Sequence, residues 1–299
     1  MKVLLVYNNF AGGGKAKKTL PLVKSLFNKH KIDFDIALTK YSGHGVELVE
    51  NADFSLYDGV VAAGGDGTMF EVINGYFKNS SAKRIPLGIL PVGTGNAFAR
   101  DLELSSSKIE EAVEIISKSN LRKVDVGKFS TQEKDYYFLN IIGAGFVADA
   151  NKTAQNFKLL GNFSYIIGVL YRILVLKFTK IKLEIDGKII ETKSTFIEVS
   201  NTRYTGADFL MAPAAEIDDG FLDITLVNKI SRFGLLKGLV KIFTGEHIHI
   251  DEIDTYKAKH IKIESEKPLV LTPDGELLGA TPVEISCLKH AIEVFWKWN

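Results

Sequence analysis

Three short apolar segments in the first third of the chain are each followed by a glycine-rich turn. They lie at residues 3–7, 59–63 and 86–90. Apolar runs of this length without polar alternation are typical of strands buried on both faces of a parallel sheet. Helix-like segments, such as residues 15–30 and 68–78, separate them. The sequence therefore predicts a layered α/β domain with a parallel sheet in the N-terminal part of the chain.

The second half of the chain has a different pattern, in which apolar and charged residues alternate. The alternation is clear at residues 180–186, and the Asp186-Gly187 pair that ends it is typical of a hairpin turn. Further strands are predicted at residues 136–142, 188–199, 221–227, 260–263, 268–271 and 283–288. This pattern predicts an antiparallel, β-rich second domain. We place the domains at residues 1–127 and 128–288, and we expect a C-terminal tail, residues 289–299, to pack back on the first domain.

The charge balance and the cysteine count exclude several classes of protein. The 299 residues include 37 Lys and Arg against 36 Asp and Glu, which gives a net charge of +1. Proteins that bind nucleic acid usually have a strong excess of positive charge, so no nucleic-acid partner is expected. The single cysteine, Cys287, excludes an intramolecular disulfide and a cysteine-rich zinc module.

Two apolar stretches bear on localisation. The N-terminal run is too short for a signal peptide and lacks a cleavage site of small residues, so a cytoplasmic protein is expected. Residues 159–178 have about the length that spans a bilayer, but they include Asn162, Arg172 and Lys177 and have apolar residues at helical spacing. A buried amphipathic helix is therefore predicted there, and no transmembrane segment.

The densest motif is Gly64-Gly65-Asp66-Gly67-Thr68, where a predicted strand ends and a predicted helix begins. Glycines let backbone N–H groups approach an anion closely, and the N-terminus of a helix adds positive partial charge. A carboxylate beside phosphate groups requires a cation, so Asp66 indicates Mg²⁺. The alternative interpretation is an ordinary strand-to-helix turn.

Two more glycine-rich turns follow neighbouring predicted strands. Pro91-Val92-Gly93-Thr94-Gly95-Asn96 follows one, and Ala11-Gly12-Gly13-Gly14-Lys15 follows another, with Lys15 available to neutralise phosphate charge. Consecutive strand ends of a parallel sheet open into one crevice, so these turns can face the same ligand. None of them is a Walker A loop or a dinucleotide-binding fingerprint.

A fourth motif, Thr272-Pro273-Asp274-Gly275-Glu276, places two carboxylates on one turn near the C-terminus. The residues alone indicate only an acidic surface turn.

Taken together and in this order, the motifs resemble the diacylglycerol kinase catalytic-domain superfamily of lipid kinases, which includes sphingosine and ceramide kinases and bacterial relatives. The matching segments are residues 64–68, 91–99, 143–146, 212–214, 219–220 and 274–276. NAD kinases and phosphofructokinases share the first of these, whereas the second motif and the Asp219-Gly220 pair favour lipid kinases.

The resemblance implies an N-terminal nucleotide domain like that of NAD kinases and a C-terminal β-sandwich, with ATP and Mg²⁺ as cofactors in the cleft between them. The residues that match the nucleotide-binding elements are Thr39, Gly64, Gly65, Asp66, Gly67, Thr68, Met69, Phe70 and Thr94, to which we add Lys15 and Asn96 from the turns. Asp66 would organise the catalytic Mg²⁺.

The resemblance also assigns roles in the second domain. Glu276, with Asp274 beside it, matches the residues proposed to take the proton from the lipid hydroxyl. Glu216, Asp219 and the carbonyl of Phe221 match the ligands of a second, structural Mg²⁺ in the bacterial members.

Two positions depart from the family pattern. The first loop reads Asn8-Asn9 where the family usually has Asn-Pro, and Ala97 stands where several bacterial members have Asp. If that Asp helps to hold Mg²⁺ in the relatives, Asp66 with water, or Asp101, must take its part here.

These observations predict an ATP- and Mg²⁺-dependent lipid kinase that collects a diacylglycerol-like or sphingoid lipid from a membrane surface during transient peripheral association. The basic residues of segment 150–183 and the pair Lys237 and Lys241 suit contact with an anionic membrane, although a solvated helix face is the alternative. A kinase acting on NAD and an inactive nucleotide-binding regulator are the competing hypotheses. The lipid and the oligomeric state, a homodimer included, are left open.

Overall fold

A parallel sheet forms the centre of the first of the two units into which the chain divides. The computed structural model describes residues 1–131, 134–146, 173, 176–206 and 209–297. The first unit consists of Met1–Val126 and Lys289–Asn299, and the second of Gly127–Leu288.

The strands of the first unit are β1 (Lys2–Tyr7), β2 (Asp33–Leu38), β3 (Gly59–Gly64) and β4 (Leu87–Pro91). They pair in parallel in the order β2-β1-β3-β4. Every residue of β3 and β4 is buried, as is all of β1 except Lys2. The predicted parallel sheet, covered on both faces, is confirmed.

Five helices connect or cover these strands: α1 (Lys15–Lys29), α2 (His44–Glu50), α3 (Asp66–Lys78), α4 (Ala97–Asp101) and α5 (Ile109–Lys118). The sequence predicted α1 and α3 within a few residues of their observed bounds. Helices α4 and α5 were missed, although α5 buries the amphipathic set Ile109, Ala112, Val113 and Ile116.

Two long strands contain the points where the chain passes from one unit to the other, β5 (Leu121–Ser130) and β16 (Val283–Phe295). The sequence predicts β16 only as far as residue 288. Beyond that residue the strand belongs to the first unit, where Val294 lies parallel to Leu87 of β4.

The second unit is antiparallel and β-rich, as predicted. Its further strands are β6 (Asp135–Phe138), β7 (Ile141–Gly145), β8 (Thr179–Ile185), β9 (Lys188–Ser200), β10 (Tyr204–Thr205), β11 (Phe209–Leu210), β12 (Leu222–Asn228), β13 (Ile253–Ala258), β14 (His260–Ser265) and β15 (Leu271–Pro273). The main order is β13-β12-β9-β8-β14-β16, and β7 joins β9 to β15. Helix α6 (Arg232–Lys241) packs its inner face on a cluster that contains Phe196 and Val227.

The predicted hairpin between β8 and β9 is confirmed. Asp186 and Gly187 have φ angles of 46° and 86°, as a two-residue turn with both central residues left-handed requires. The single strand predicted at residues 136–142 is wrong, because two strands, β6 and β7, occupy that region.

The long apolar stretch of residues 159–178 lies almost entirely outside the described residues. Among the helices within the described ranges, none has both the length and the apolar character needed to cross a bilayer.

Candidate functional site

The turn between β3 and α3 presents backbone N–H groups at the N-terminus of a helix. Gly65 precedes α3 in an extended conformation, and no side chain caps the helix there. A Cβ atom at Gly64 would overlap the side chain of Thr68, so only glycine fits at that position. Uncapped N–H groups at the N-terminus of a helix are suited to binding a phosphate group.

The second glycine-rich turn packs directly on this one. The Gly93 N–H donates to the Gly64 carbonyl at 3.0 Å, and a Cβ atom at Gly93 would overlap the backbone of Gly65. Asn96 has a φ of 53°, and its Nδ2 donates to the Gly93 carbonyl at 2.9 Å. The close approach of the two turns therefore depends on the absence of a side chain at Gly93.

The third turn lies against the other two. Gly12 has a φ of 60°, and a Cβ atom there would lie 3.0 Å from the carbonyl oxygen of Val92. Asn8, at the end of β1, donates from Nδ2 to Thr68 Oγ1 at 3.1 Å and accepts from the Phe10 N–H at 2.9 Å. The structure thus brings together the three turns that the sequence singled out. Sequence reasoning did not identify Asn8 as the residue that connects the loop after β1 to Thr68. Its position directly after β1 is the signal that could have revealed this role.

Asp66 is held by the second turn. Its Oδ1 accepts the Ala97 N–H at 2.7 Å. Burial raises the pKa of the Asp66 carboxyl to about 6, and the Ala97 hydrogen bond and the charge of Arg100 oppose this rise. The packing of the second turn leaves Asp66 half-buried. Since the backbone of residue 97 makes this contact, the contact does not depend on the side chain at that position.

The residues around Asp66 fit an oxygen-binding cation. The Asn96 side-chain oxygen is buried and has no hydrogen-bond partner within the described part of the chain, while its Nδ2 is already engaged. Carboxylate and amide oxygens are the ligands that Mg²⁺ takes, commonly with water and substrate phosphate oxygens.

The other predicted nucleotide residues fall into two groups. Lys15, the first residue of α1, and Thr94, in the second turn, are exposed. Thr39 is 7% exposed, and the side chains of Met69 and Phe70 are 4% and 8% exposed. Met69 and Phe70 therefore belong to the core of the first unit, and their side chains do not face a nucleotide.

Glu71 is a site residue that sequence reasoning missed. Its Oε1 accepts the Gly43 N–H at 2.6 Å and its Oε2 accepts the Gly45 N–H at 2.8 Å. It therefore joins α3 to the loop that follows Thr39. A carboxylate within an otherwise largely apolar helix is the signal that could have revealed it.

In the second unit, Asp274 and Glu276 differ sharply. The Asp274 carboxylate is buried and accepts three backbone N–H groups, from Leu139 at 3.1 Å, Asn140 at 2.9 Å and Ile141 at 3.0 Å. The three donors lie where β6 ends and β7 begins. Glu276 is exposed on the same turn. Asp274 therefore fixes the turn, and Glu276 is the carboxylate of the two that is open to solvent.

Two buried polar atoms near Asp274 are unsatisfied. Asn140 Nδ2 and Ser200 Oγ have no hydrogen-bond partner within the described ranges. Ser200 lies opposite Ile141 in the β7–β9 register, and the Asn140 N–H is one of the donors to Asp274. Unsatisfied buried groups often mark a place where a ligand or water binds.

Glu198 is a buried carboxyl that sequence reasoning missed. It is 0% exposed, and neither of its oxygens has a partner among the described residues. Burial raises the pKa of Glu198 to about 8. The side chain lines an apolar cavity of about 70 Å³ together with Phe196 and Leu235. Such a space is smaller than the roughly 150 Å³ cavity that holds benzene, so it would have to widen to admit an alkyl chain.

The predicted structural metal site contains a lysine. Asp219 accepts the Phe221 N–H at 2.9 Å on Oδ1 and pairs with Lys257 Nζ at 2.7 Å through Oδ2. Lys257 also lies 3.6 Å from Asp223, and Glu216 is exposed. The Lys257 ammonium thus supplies the positive charge that a metal ion would bring. Because Asp219 is already paired with Lys257 and Glu216 is exposed, this donor set does not fit the implied Mg²⁺.

Comparison with known proteins agrees with these observations. A family model described as the diacylglycerol kinase catalytic domain matches residues 2–129. A second, described as the YegS C-terminal NAD kinase beta sandwich-like domain, matches residues 140–296.

Several relatives match along nearly the whole chain. The diacylglycerol kinase of Bacillus subtilis is 28% identical over 97% of this chain and 94% of its own length. That of Staphylococcus haemolyticus is 31% identical over 97% of this chain and 86% of its own length. A crystal structure of a diacylglycerol kinase from Bacillus anthracis, 30% identical, superposes with a TM-score of 0.76 over 99% of this chain and 97% of its own. With an α/β catalytic domain followed by a β-sandwich-like domain, this chain belongs to the diacylglycerol kinase family.

Proposed function

We propose that the protein is a lipid kinase that transfers the γ-phosphoryl group of ATP to the hydroxyl group of a lipid in the presence of Mg²⁺. The observation that carries the proposal is the Asp66–Ala97 hydrogen bond, which joins two glycine-rich turns at the ends of neighbouring parallel strands. Family membership supports the same reaction class.

In the first unit, the turns bind and orient the nucleotide. The N–H groups at the start of α3 face the phosphates, and Lys15 and Thr94 are the exposed side chains that complete the cradle. Asp66 and the Asn96 oxygen would hold Mg²⁺, which neutralises charge on the phosphate oxygens. Because phosphoryl transfer depends mostly on positioning and charge neutralisation, the rigid contacts among the turns are the main contribution of this unit.

In the second unit, we assign the general base to Glu276. It takes the proton of the lipid hydroxyl as the new O–P bond forms and ADP departs with the electrons of the broken bond. Asp274 is a positioning residue, because its lone pairs already accept three backbone N–H groups. We assign no metal to Glu216, Asp219 and Phe221, since Lys257 already balances Asp219.

We further propose that the acceptor is a lipid of the diacylglycerol class, since that is what the relatives' names state. The protein would then act in the cytoplasm at a membrane surface. A sphingoid base or another lipid alcohol is an outcome of the test described next.

Product analysis decides between the candidate functions. The purified protein is incubated with γ-³²P-labelled ATP, Mg²⁺ and a lipid extract, and in parallel with NAD. Label in the organic phase, identified by mass spectrometry, supports the lipid kinase. Label in NADP supports the kinase that acts on NAD. ATP binding without ADP release in any mixture would support an inactive nucleotide-binding regulator.

A further inference from the structure

Helix α6 has apolar side chains on two opposite faces. Leu235, Gly238 and Ile242 are buried, and Leu239 packs on the same apolar cluster. These residues follow the i, i+3, i+4, i+7 spacing of a single helix face. That face accounts for how α6 is attached to the second unit.

The opposite face is apolar as well, but it is exposed. Phe233 is 79% exposed, Leu236 41% and Val240 70%. Their i, i+3, i+7 spacing places them in one stripe, directed away from the buried face. Phe243, two residues after the helix ends, is 52% exposed. We call Phe233, Leu236, Val240 and Phe243 the α6 stripe.

The α6 stripe concentrates exposed apolar side chains in a short stretch. The exposed large hydrophobic residues in the described part of the chain number twelve, and four of them fall within these eleven residues. Single exposed apolar residues are normal on protein surfaces, whereas contiguous ones mark an interaction site.

The charges around the stripe indicate what covers it. Residues 229–245 include Lys229, Arg232, Lys237 and Lys241 and no Asp or Glu. Lys241 also pairs with Glu246 at 3.6 Å. Two copies of this face brought together would place like charges against each other. An anionic, apolar surface is the complementary partner, and a bilayer with anionic headgroups has both properties.

We propose that the α6 stripe is the surface by which this protein docks on anionic membranes. Phe233, Val240 and Phe243 enter the boundary between headgroups and acyl chains, while Arg232 and Lys237 contact the headgroup phosphates. The inference rests on the proposed function in one respect, which is that the lipid acceptor comes from a membrane. The docking itself requires neither ATP nor transfer.

Vesicle binding by the full-length protein tests the proposal. Sedimentation is measured with phosphatidylcholine vesicles and with vesicles that contain about one third phosphatidylglycerol. The wild type is expected to bind the anionic vesicles preferentially. The double variant Phe233→Gln, Val240→Gln should lower that binding at least about tenfold. Lys237→Gln should lower it about fivefold, and only on the anionic vesicles.

A matched control separates the stripe from general surface hydrophobicity. Leu22 on α1 is 52% exposed, so Leu22→Gln removes an apolar side chain from another helix surface. It should leave vesicle binding unchanged. Glutamine is at least as good a helix former as phenylalanine or valine, so the substituted α6 should stay folded, which circular dichroism checks.

Two readouts keep this proposal distinct from the proposed function and from self-association. Transfer to a short-chain lipid dispersed in detergent should be the same for the double variant and the wild type. If the wild type transfers nothing, the proposed function fails while the vesicle result still stands. Unchanged vesicle binding by the double variant overturns the docking proposal. The proposal is also overturned if the wild type is a dimer, the double variant is a monomer, and both bind vesicles equally well. That result would assign the α6 stripe to self-association.

Discussion

At the residue scale, Asp274 and Glu276 show how the same chemical group takes different parts two positions apart. Asp274 is 5% exposed and its carboxylate accepts three backbone N–H groups, whereas Glu276 is exposed. A carboxylate that holds the backbone in place contributes to stability, and one that faces solvent is available for proton transfer. The two substitutions should therefore separate these effects.

Glu276→Gln should lower kcat at least about a hundredfold, because a positioned base contributes about 10²–10⁴ to the rate. Its free energy of unfolding should change less than that of Asp274→Asn, because Glu276 is exposed. Asp274→Asn should instead lower the free energy of unfolding by about 1–3 kcal/mol, since an amide NH₂ group would face buried backbone donors. Steady-state kinetics and urea unfolding measure both. Full activity in Glu276→Gln, with an inactive but stable Asp274→Asn, would make Asp274 the base.

Glu198 leads to a pH-dependent prediction. Its pKa is about 8 in the folded protein against 4.5 as the ordinary value, because burial disfavours the charged form. Between these pH values the unfolded chain releases a proton that the folded protein keeps, so Glu198 destabilises the fold progressively as the pH rises towards 8. Glu198→Gln should therefore gain stability over the wild type between pH 5 and pH 8, by about 1.4 kcal/mol per pH unit at most. Urea unfolding at several pH values measures this gain. If the free energies of unfolding of the two proteins change with pH in the same way, Glu198 is ionised in the folded protein and the prediction is wrong.

At the element scale, the packing of one glycine turn on another holds the candidate site together. A Cβ atom at Gly93 would overlap the Gly65 backbone, while a Cβ atom at Gly65 would come no closer than 3.4 Å to Gly93. Both turns follow adjacent parallel strands, so their separation is fixed by the sheet.

Gly93→Ala should therefore lower stability by about 1–3 kcal/mol, because the two turns are forced apart. It should also weaken ATP binding, since Asp66 and the start of α3 would shift. Gly65→Ala is the matched control and should cost much less stability. Urea unfolding and calorimetric titration with ATP make the comparison. If the two alanine variants are equally stable, the turns do not pack as described.

The elements that the sequence predicted best are those whose pattern is local. Buried strands such as β3 and the Asp186-Gly187 hairpin follow from apolar runs and turn chemistry. The interruption between β6 and β7 could not be predicted, because the backbone N–H groups there donate to the carboxylate of Asp274, more than 130 residues away. The partial burial of Asp66 was missed for the same reason, since the N–H group that its carboxylate accepts belongs to Ala97, 31 residues away.

At the scale of the whole molecule, the two units make separate contributions. The first unit holds the three glycine turns, and the second holds the Asp274 turn, the buried Glu198 and the α6 stripe. The order of motifs along the chain was enough to identify the family, but residue roles needed the contacts. The sequence alone did not distinguish the role of Asp274 from that of Glu276. It also did not predict the ion pair between Lys257 and Asp219.

The measurement that tests the central claim most directly is the rate at which label from γ-³²P-labelled ATP enters the organic phase, for the wild type and for Asp66→Asn. The asparagine oxygen can still accept the Ala97 N–H, so the variant should fold and should be at least as stable as the wild type. Without the charge that organises the phosphates, its rate should fall at least about a hundredfold. Near-wild-type transfer by Asp66→Asn, or label that stays in the aqueous phase with every lipid offered to the wild type, would contradict the account.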